Sequence, residues 1–150
     1  STDLIPGVTA IDTITFTVTA PTNYLISEIS YFERGTAMID GSGVAFATGS
    51  VTAGGLSNNL ATFIQSAPTS GSGWSLDTTI DIEDAYEVTV VIVNSLTSVG
   101  ISGTASIEKL LATITIGTVE DPSSNVPVSS ASLLLFSGLI GLAGIRRKNS

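Results

Sequence analysis

From Ile11 to Ala20 the chain alternates without a break, with Ile14, Phe16 and Val18 on one side and Thr13, Thr15, Thr17 and Thr19 on the other. A period of two, rich in β-branched residues, predicts a half-buried strand. Pro21-Thr22-Asn23 ends it. Tyr24 to Arg34 reads as a second strand stopped by Gly35, and Thr36 to Asp40 as a short third. Gly41-Ser42-Gly43 predicts a turn into Val44 to Thr52, where Val44 and Phe46 alternate with Ala45 and Ala47. Within that strand Gly49 suggests a bulge or the close approach of another backbone. Gly54-Gly55 opens the next connection, and Leu56 to Ile64 fits either a strand with a turn or a short helix, with strand preferred.

Ala67 to Gly73 is a loop by composition. A further strand follows over Trp74 to Ile82, anchored by Trp74, Leu76, Ile80 and Ile82. Tyr86 to Val93 is the most apolar strand, with Tyr86, Val88, Val90 and Ile92 on one face and Val91 and Val93 on the other, and is expected at the centre. Leu96 to Gly103 reads as a connection, and Thr104 to Ile116 as one long strand or two. The expected fold is therefore all-β, an antiparallel β-sandwich of about eight strands, followed by a C-terminal hydrophobic α-helix. The expected division is a body over 1–118, a polar linker over 119–125 and the apolar helix with its basic end over 126–150.

The last segment has a different pattern. Pro127 suits the first turn of a helix, where its missing N–H leaves nothing unpaired. No charge follows until Arg146, and Leu133, Leu134, Leu135, Phe136, Leu139, Ile140, Leu142 and Ile145 supply the apolar surface. As a helix, Ser132 to Ile145 would cover roughly 21 Å, against a hydrocarbon core about 30 Å thick. Gly138, Gly141 and Gly144 leave one side nearly bare, which lets another helix approach closely. Arg146-Arg147-Lys148 would sit at anionic headgroups.

This order of proline, apolar run and terminal cations over Val126 to Lys148 resembles the PEP-CTERM sorting signal of exported bacterial proteins. Here Val126-Pro127-Val128 stands where that signal has Pro-Glu-Pro or Pro-x-Pro. The resemblance implies contact with a membrane and with an exosortase that cuts near the proline. It also implies an extracellular or cell-surface location, with a signal peptide already removed ahead of Ser1. The body, notably Tyr86-Glu87-Val88-Thr89-Val90 and Thr104-Ala105-Ser106-Ile107-Glu108-Lys109, is similar to the small β-rich proteins that carry such tails.

Charge and composition narrow the chemistry. The chain has no Cys and no His, which removes disulfides, thiolate catalysis, zinc fingers and His-based acid–base sites. Ahead of residue 126, Arg34 and Lys109 are the two cations against thirteen carboxylates in body and linker, a net charge of −11, so no nucleic acid is expected as a partner. Asp77, Asp81, Glu83, Asp84 and Glu87 offer oxygens of the kind Ca²⁺ takes, with Asp81, Glu83 and Asp84 the metal candidates. They lack the spacing of an EF-hand loop and read better as a solvated strand end. Lys109 follows Glu108 with no Gly-x-Ser-x-Gly motif nearby, and no catalytic residue or cofactor is expected. Trp74 reads as core or interface in preference to a sugar platform.

Two functions fit. The first is a non-enzymatic extracellular structural protein, a self-assembling homopolymeric subunit of a surface or biofilm-matrix filament. Its apolar helix would be buried in subunit contacts, because each Leu, Ile or Phe withdrawn from water contributes about 1.5–3 kcal/mol. The alternative is a surface-anchored polysaccharide-binding module whose helix is a membrane or sorting anchor.

Overall fold

The computed structural model describes residues 7–124 and, of the C-terminal segment, only the backbone of Gly138–Leu139 and Ile145–Arg146. Six antiparallel strands build the body: β1 (Val8–Thr19), β2 (Tyr24–Ala53), β3 (Leu56–Asn59), β4 (Phe63–Gln65), β5 (Thr69–Ala85) and β6 (Glu87–Glu120). They curl into a half-barrel. Its backbone is a single ribbon in which β2 and β6 pair from Tyr24 opposite Glu120 to Ala53 opposite Val90.

The ribbon has two halves with different neighbours. Beside the first half of β2 lies β5, from Ile26 opposite Ala85 to Ile39 opposite Thr69. Beside its second half lie β4, at Ala45 to Ala47, and β3, at Ser50 to Ala53. On the far side, β1 covers β6 from Glu87 to Ser98. The Tyr86 to Val93 segment is central, as its hydropathy predicts. Gly54 and Gly55 make the tight turn into β3 at φ of 58° and 82°, conformations open to glycine.

Fewer, longer strands replace the eight short ones expected, and all belong to one continuous sheet. Gly35 and Gly41-Ser42-Gly43 do not end a strand, and Leu96 to Gly103 is not a connection but part of β6. Thr69 to Gly73, expected in a loop, belongs to β5. The reason is geometric. Thirty extended residues would reach roughly 100 Å, whereas a domain of this size has a radius of gyration of about 13 Å. The ribbon must therefore bend, and of its three register shifts, at Ile26/Glu28, Arg34/Gly35 and Ser42/Gly43, the last two fall at glycines. At the second bend Gly41 (φ 86°) faces Gly103 (φ 125°), and a Cβ on either would strike a backbone oxygen of the other strand, Ser102 O or Asp40 O. Glycine here permits close crossing without breaking the ladder.

Bending brings the inner faces of both halves around one core. Ile26, Ile29, Ala37 and Ile39 from β2, Trp74, Leu76 and Ile80 from β5, and Ile107, Ala112 and Ile114 from β6 meet Val51, Val88, Val90 and Ile92 of the other half. The small Ala45 and Ala47 face inward, leaving Val44 and Phe46 on the outer side. Tyr86 departs from its expected face and is exposed, because β6 begins one residue later.

The end of the ribbon is closed by polar contacts. Tyr86 Oη donates to Asp121 Oδ2 at 2.5 Å, while Ser123 N and Oγ donate to Asp121 Oδ1 at 2.9 and 2.7 Å. Asp121 N donates to Asn23 O at 2.8 Å, tying the end of β6 to the start of β2. The Tyr86 hydroxyl, then Ser123, holds the Asp121 carboxyl below its usual range. A depressed folded-state value adds stability above the unfolded value and loses it as pH falls through the folded one. Tyr86→Phe is thus expected to show a full stability deficit above about pH 4, and a closing deficit below it. Urea midpoints of both proteins across the acid range test this.

Candidate functional site

Most of the residues singled out for assembly, Pro127, Leu133, Leu134, Leu135, Phe136, Ile140, Gly141, Leu142, Gly144, Arg147 and Lys148, lie outside the described residues, and so does the helix expected to carry them. Gly138–Leu139 (β7) pairs with Thr113 and Ile114, and Ile145–Arg146 (β8) with Ser106 and Ile107. The two pairings share one register: seven residues separate Leu139 from Arg146, and seven separate Thr113 from Ser106. Both fall on the side of β6 that β1 leaves open beyond Ser98, where among the described residues no other strand pairs. An open sheet edge presents unpaired N–H and C=O groups, a template for an added strand. Exposed Ile101, Leu110 and Val119 lie along the same half of β6.

The acidic candidates do not converge. Asp77, Asp81 and Glu83 point outward along β5, and Asp84 is exposed with φ near 20°. Among the described residues no three carboxylates stand close enough to hold a metal ion. Trp74 is core: its ring stacks on Phe63 at a centroid distance of 6.1 Å and an interplanar angle of 26°. No helix among the described residues is long and apolar enough to cross a membrane.

A cluster the sequence reading did not find sits at the centre of the half-barrel. Glu33 and Lys109 are buried as an ion pair, Lys109 Nζ to Glu33 Oε2 being 2.7 Å. Tyr31 Oη donates to the same carboxylate oxygen at 2.7 Å. Asn94, from the other half of the ribbon, completes the group. Its carboxamide oxygen faces Lys109 Nζ at 2.6 Å and the Tyr31 hydroxyl at 3.0 Å, and its nitrogen faces Glu33 Oε2 at 3.1 Å. The reverse orientation would set an amide NH₂ against an ammonium, two donors facing each other.

The strand geometry explains this convergence. Tyr31, Glu33, Gly35 and Ala37 share the inward phase of β2, as Ile107 and Lys109 do in β6. Gly35 lies between Trp74 on β5 and Lys109 on β6, and a Cβ there would collide with Glu108 O and the indole ring. With no side chain at Gly35, the indole of Trp74 and the β6 backbone pack directly against β2 there. Burial first, then the negative charge of Glu33, holds the Tyr31 phenol well above its ordinary value, so it remains a donor. Glu33 Oε1 is buried without a hydrogen-bond partner, as is Asp12 Oδ2 on the strand opposite Asn94.

The signal for this site was the phase. Glu33, Asn94 and Lys109 are polar residues at positions where period-two alternation demands apolar ones, and Lys109 is one of two cations in the body.

No known protein family and no curated protein matches this chain.

Proposed function

We propose that this chain is a non-enzymatic extracellular structural protein, a self-assembling subunit of a surface or matrix filament whose contacts are made by its C-terminal segment. The observation that carries the reading is the open side of β6 beyond Ser98, met in one register by Gly138–Leu139 and Ile145–Arg146. A segment that adds to an edge of its own body can equally add to the same edge of a neighbouring copy, and a head-to-tail exchange that does not close grows a filament. The long apolar run of that segment supplies burial on joining.

The test is truncation after residue 125. The shortened chain is expected to remain a monomer by sedimentation, while the full chain forms polymers visible by negative stain. Polymers of equal length and abundance from the truncated chain would sink the reading.

One observation favours a polysaccharide-binding module as a second reading. Phe32 is exposed on the outer face of β2, beside a shallow depression lined by Ser30, Asp77, Thr78, Thr79, Thr113 and Thr115. An aromatic face ringed by hydroxyls suits a sugar ring. Under that reading, Phe32→Ala abolishes polysaccharide retention and leaves polymer formation unchanged.

A further inference from the structure

Lys109, Asn94 and Glu33 hold a reactive arrangement as well as a stable one. An amine, a carboxamide and a carboxylate meet within 2.6–3.1 Å in a buried site, and the carboxamide carbon lies one bond beyond the oxygen that faces Nζ. We propose that Lys109 and Asn94 are joined by a self-catalysed amide bond between Nζ and Cγ, with Glu33 as the proton carrier.

The chemistry needs these groups and nothing else. An ammonium has no lone pair, so the first step passes a proton from Nζ to Glu33 across 2.7 Å, turning two buried charges into two neutral groups. The freed amine attacks Cγ of Asn94, and the carbonyl π electrons move onto Oδ1. Tyr31 Oη, 3.0 Å from that oxygen, turns its single proton from Glu33, now protonated, to Oδ1 as negative charge develops there. Glu33, 3.1 Å from Nδ2, gives its proton to the departing nitrogen and takes one from Nζ. As the C=O bond re-forms, the Cγ–Nδ2 bond breaks and ammonia leaves. The products are a secondary amide, one ammonia and a protonated Glu33. All five hydrogens are retained, the charge is unchanged and no oxidant or reductant enters.

Burial favours the forward direction, since it limits the access of bulk water to the amide and to Cγ. Fixed strands supply the proximity that makes a slow solution reaction effective. The bond would link the two halves of the ribbon across the bend that contains Gly103, closing a loop of sixteen residues from Asn94 to Lys109. In a chain without Cys it would take the place of a disulfide.

The experiment is intact mass of the full chain, followed by trypsin digestion after denaturation. Trypsin cuts after Lys and Arg, and between Arg34 and Arg146 the chain offers it only Lys109. The expected result is a mass lower by one ammonia and an uncut peptide bond after Lys109, leaving a single fragment from residue 35 to 146. In Glu33→Gln and Asn94→Ala the full mass and cleavage after Lys109 are expected to return. A wild-type chain at its full mass overturns the proposal. So does loss of ammonia with Lys109 still cleaved, the signature of an asparagine succinimide. Loss of one water would place the bond on a carboxylate, Glu33 or Asp12, and also overturns it. Because these readouts concern one chain, they stand or fall separately from polymer formation.

Discussion

Measured against the chain whose Glu33–Lys109 ion pair is unreacted, replacing Lys109 by methionine is expected to lower the unfolding free energy by about 3–5 kcal/mol, the usual penalty for stripping one partner from a buried ion pair. Glu33 is fully buried, and Lys109 is the cation that faces it. Without that cation the carboxylate keeps its desolvation penalty, and the hydrogen bonds from Tyr31 and Asn94 compensate only in part. A domain of this size has a total stability of roughly 5–15 kcal/mol, so the loss would be a large share of it. The double variant Glu33→Gln with Lys109→Met removes both charges while keeping a group that Tyr31 and Asn94 can bond. It is expected to be more stable than Lys109→Met alone, by urea titration followed by far-ultraviolet circular dichroism. Equal stability of the two variants would show that the charge on Glu33 is not what the lysine balances.

Trp74→Ala is expected to remove about 3–5 kcal/mol, as deletion of a large buried aromatic does when the site cannot collapse. The indole stacks on Phe63 and covers Gly35, whose missing side chain leaves nothing to fill the space. Because backbone on both sides is held in the β5–β2–β6 ladder, relaxation into the cavity is small. Trp74→Phe is expected to be much milder. It leaves a smaller cavity, and it removes the indole N–H, which is buried without a partner. Since Trp74 is the single tryptophan, tryptophan fluorescence is lost with it, and circular dichroism against guanidinium is the suitable probe. A shift in midpoint at constant slope would identify lost packing.

The strand content was legible because alternation is a local property. Ile14, Phe16 and Val18 half-buried over exposed threonines, and Val88, Val90 and Ile92 fully buried, follow the period read from the chain. Strand ends were less legible, for a reason visible at Gly41 and Gly103. A glycine can stop a strand, or allow two strands to cross closely and continue, and which occurs depends on the residue opposite. Here Gly41 and Gly103 lie opposite each other although 62 positions apart in the chain, so the bend belongs to the pair.

The buried cluster shows the same division. That Glu33, Asn94 and Lys109 occupy inward positions follows from counting by twos along each strand. That they meet does not, because it requires the ribbon to fold over itself, bringing residue 94 of one half to residue 109 of the other. The sequence by itself determined an all-β, antiparallel chain, the facing of alternating runs such as Ile14, Phe16 and Val18 or Val88, Val90 and Ile92 though not of Tyr86, and a Cys-free, His-free acidic body. Only the tertiary structure decided that the strands form one curled ribbon, that β6 keeps a side beyond Ser98 that β1 does not cover, and that an amine, a carboxamide and a carboxylate share one buried site. Alternation is set by neighbours along the chain, whereas curvature, edges and convergent side chains are set by residues far apart that only packing brings together.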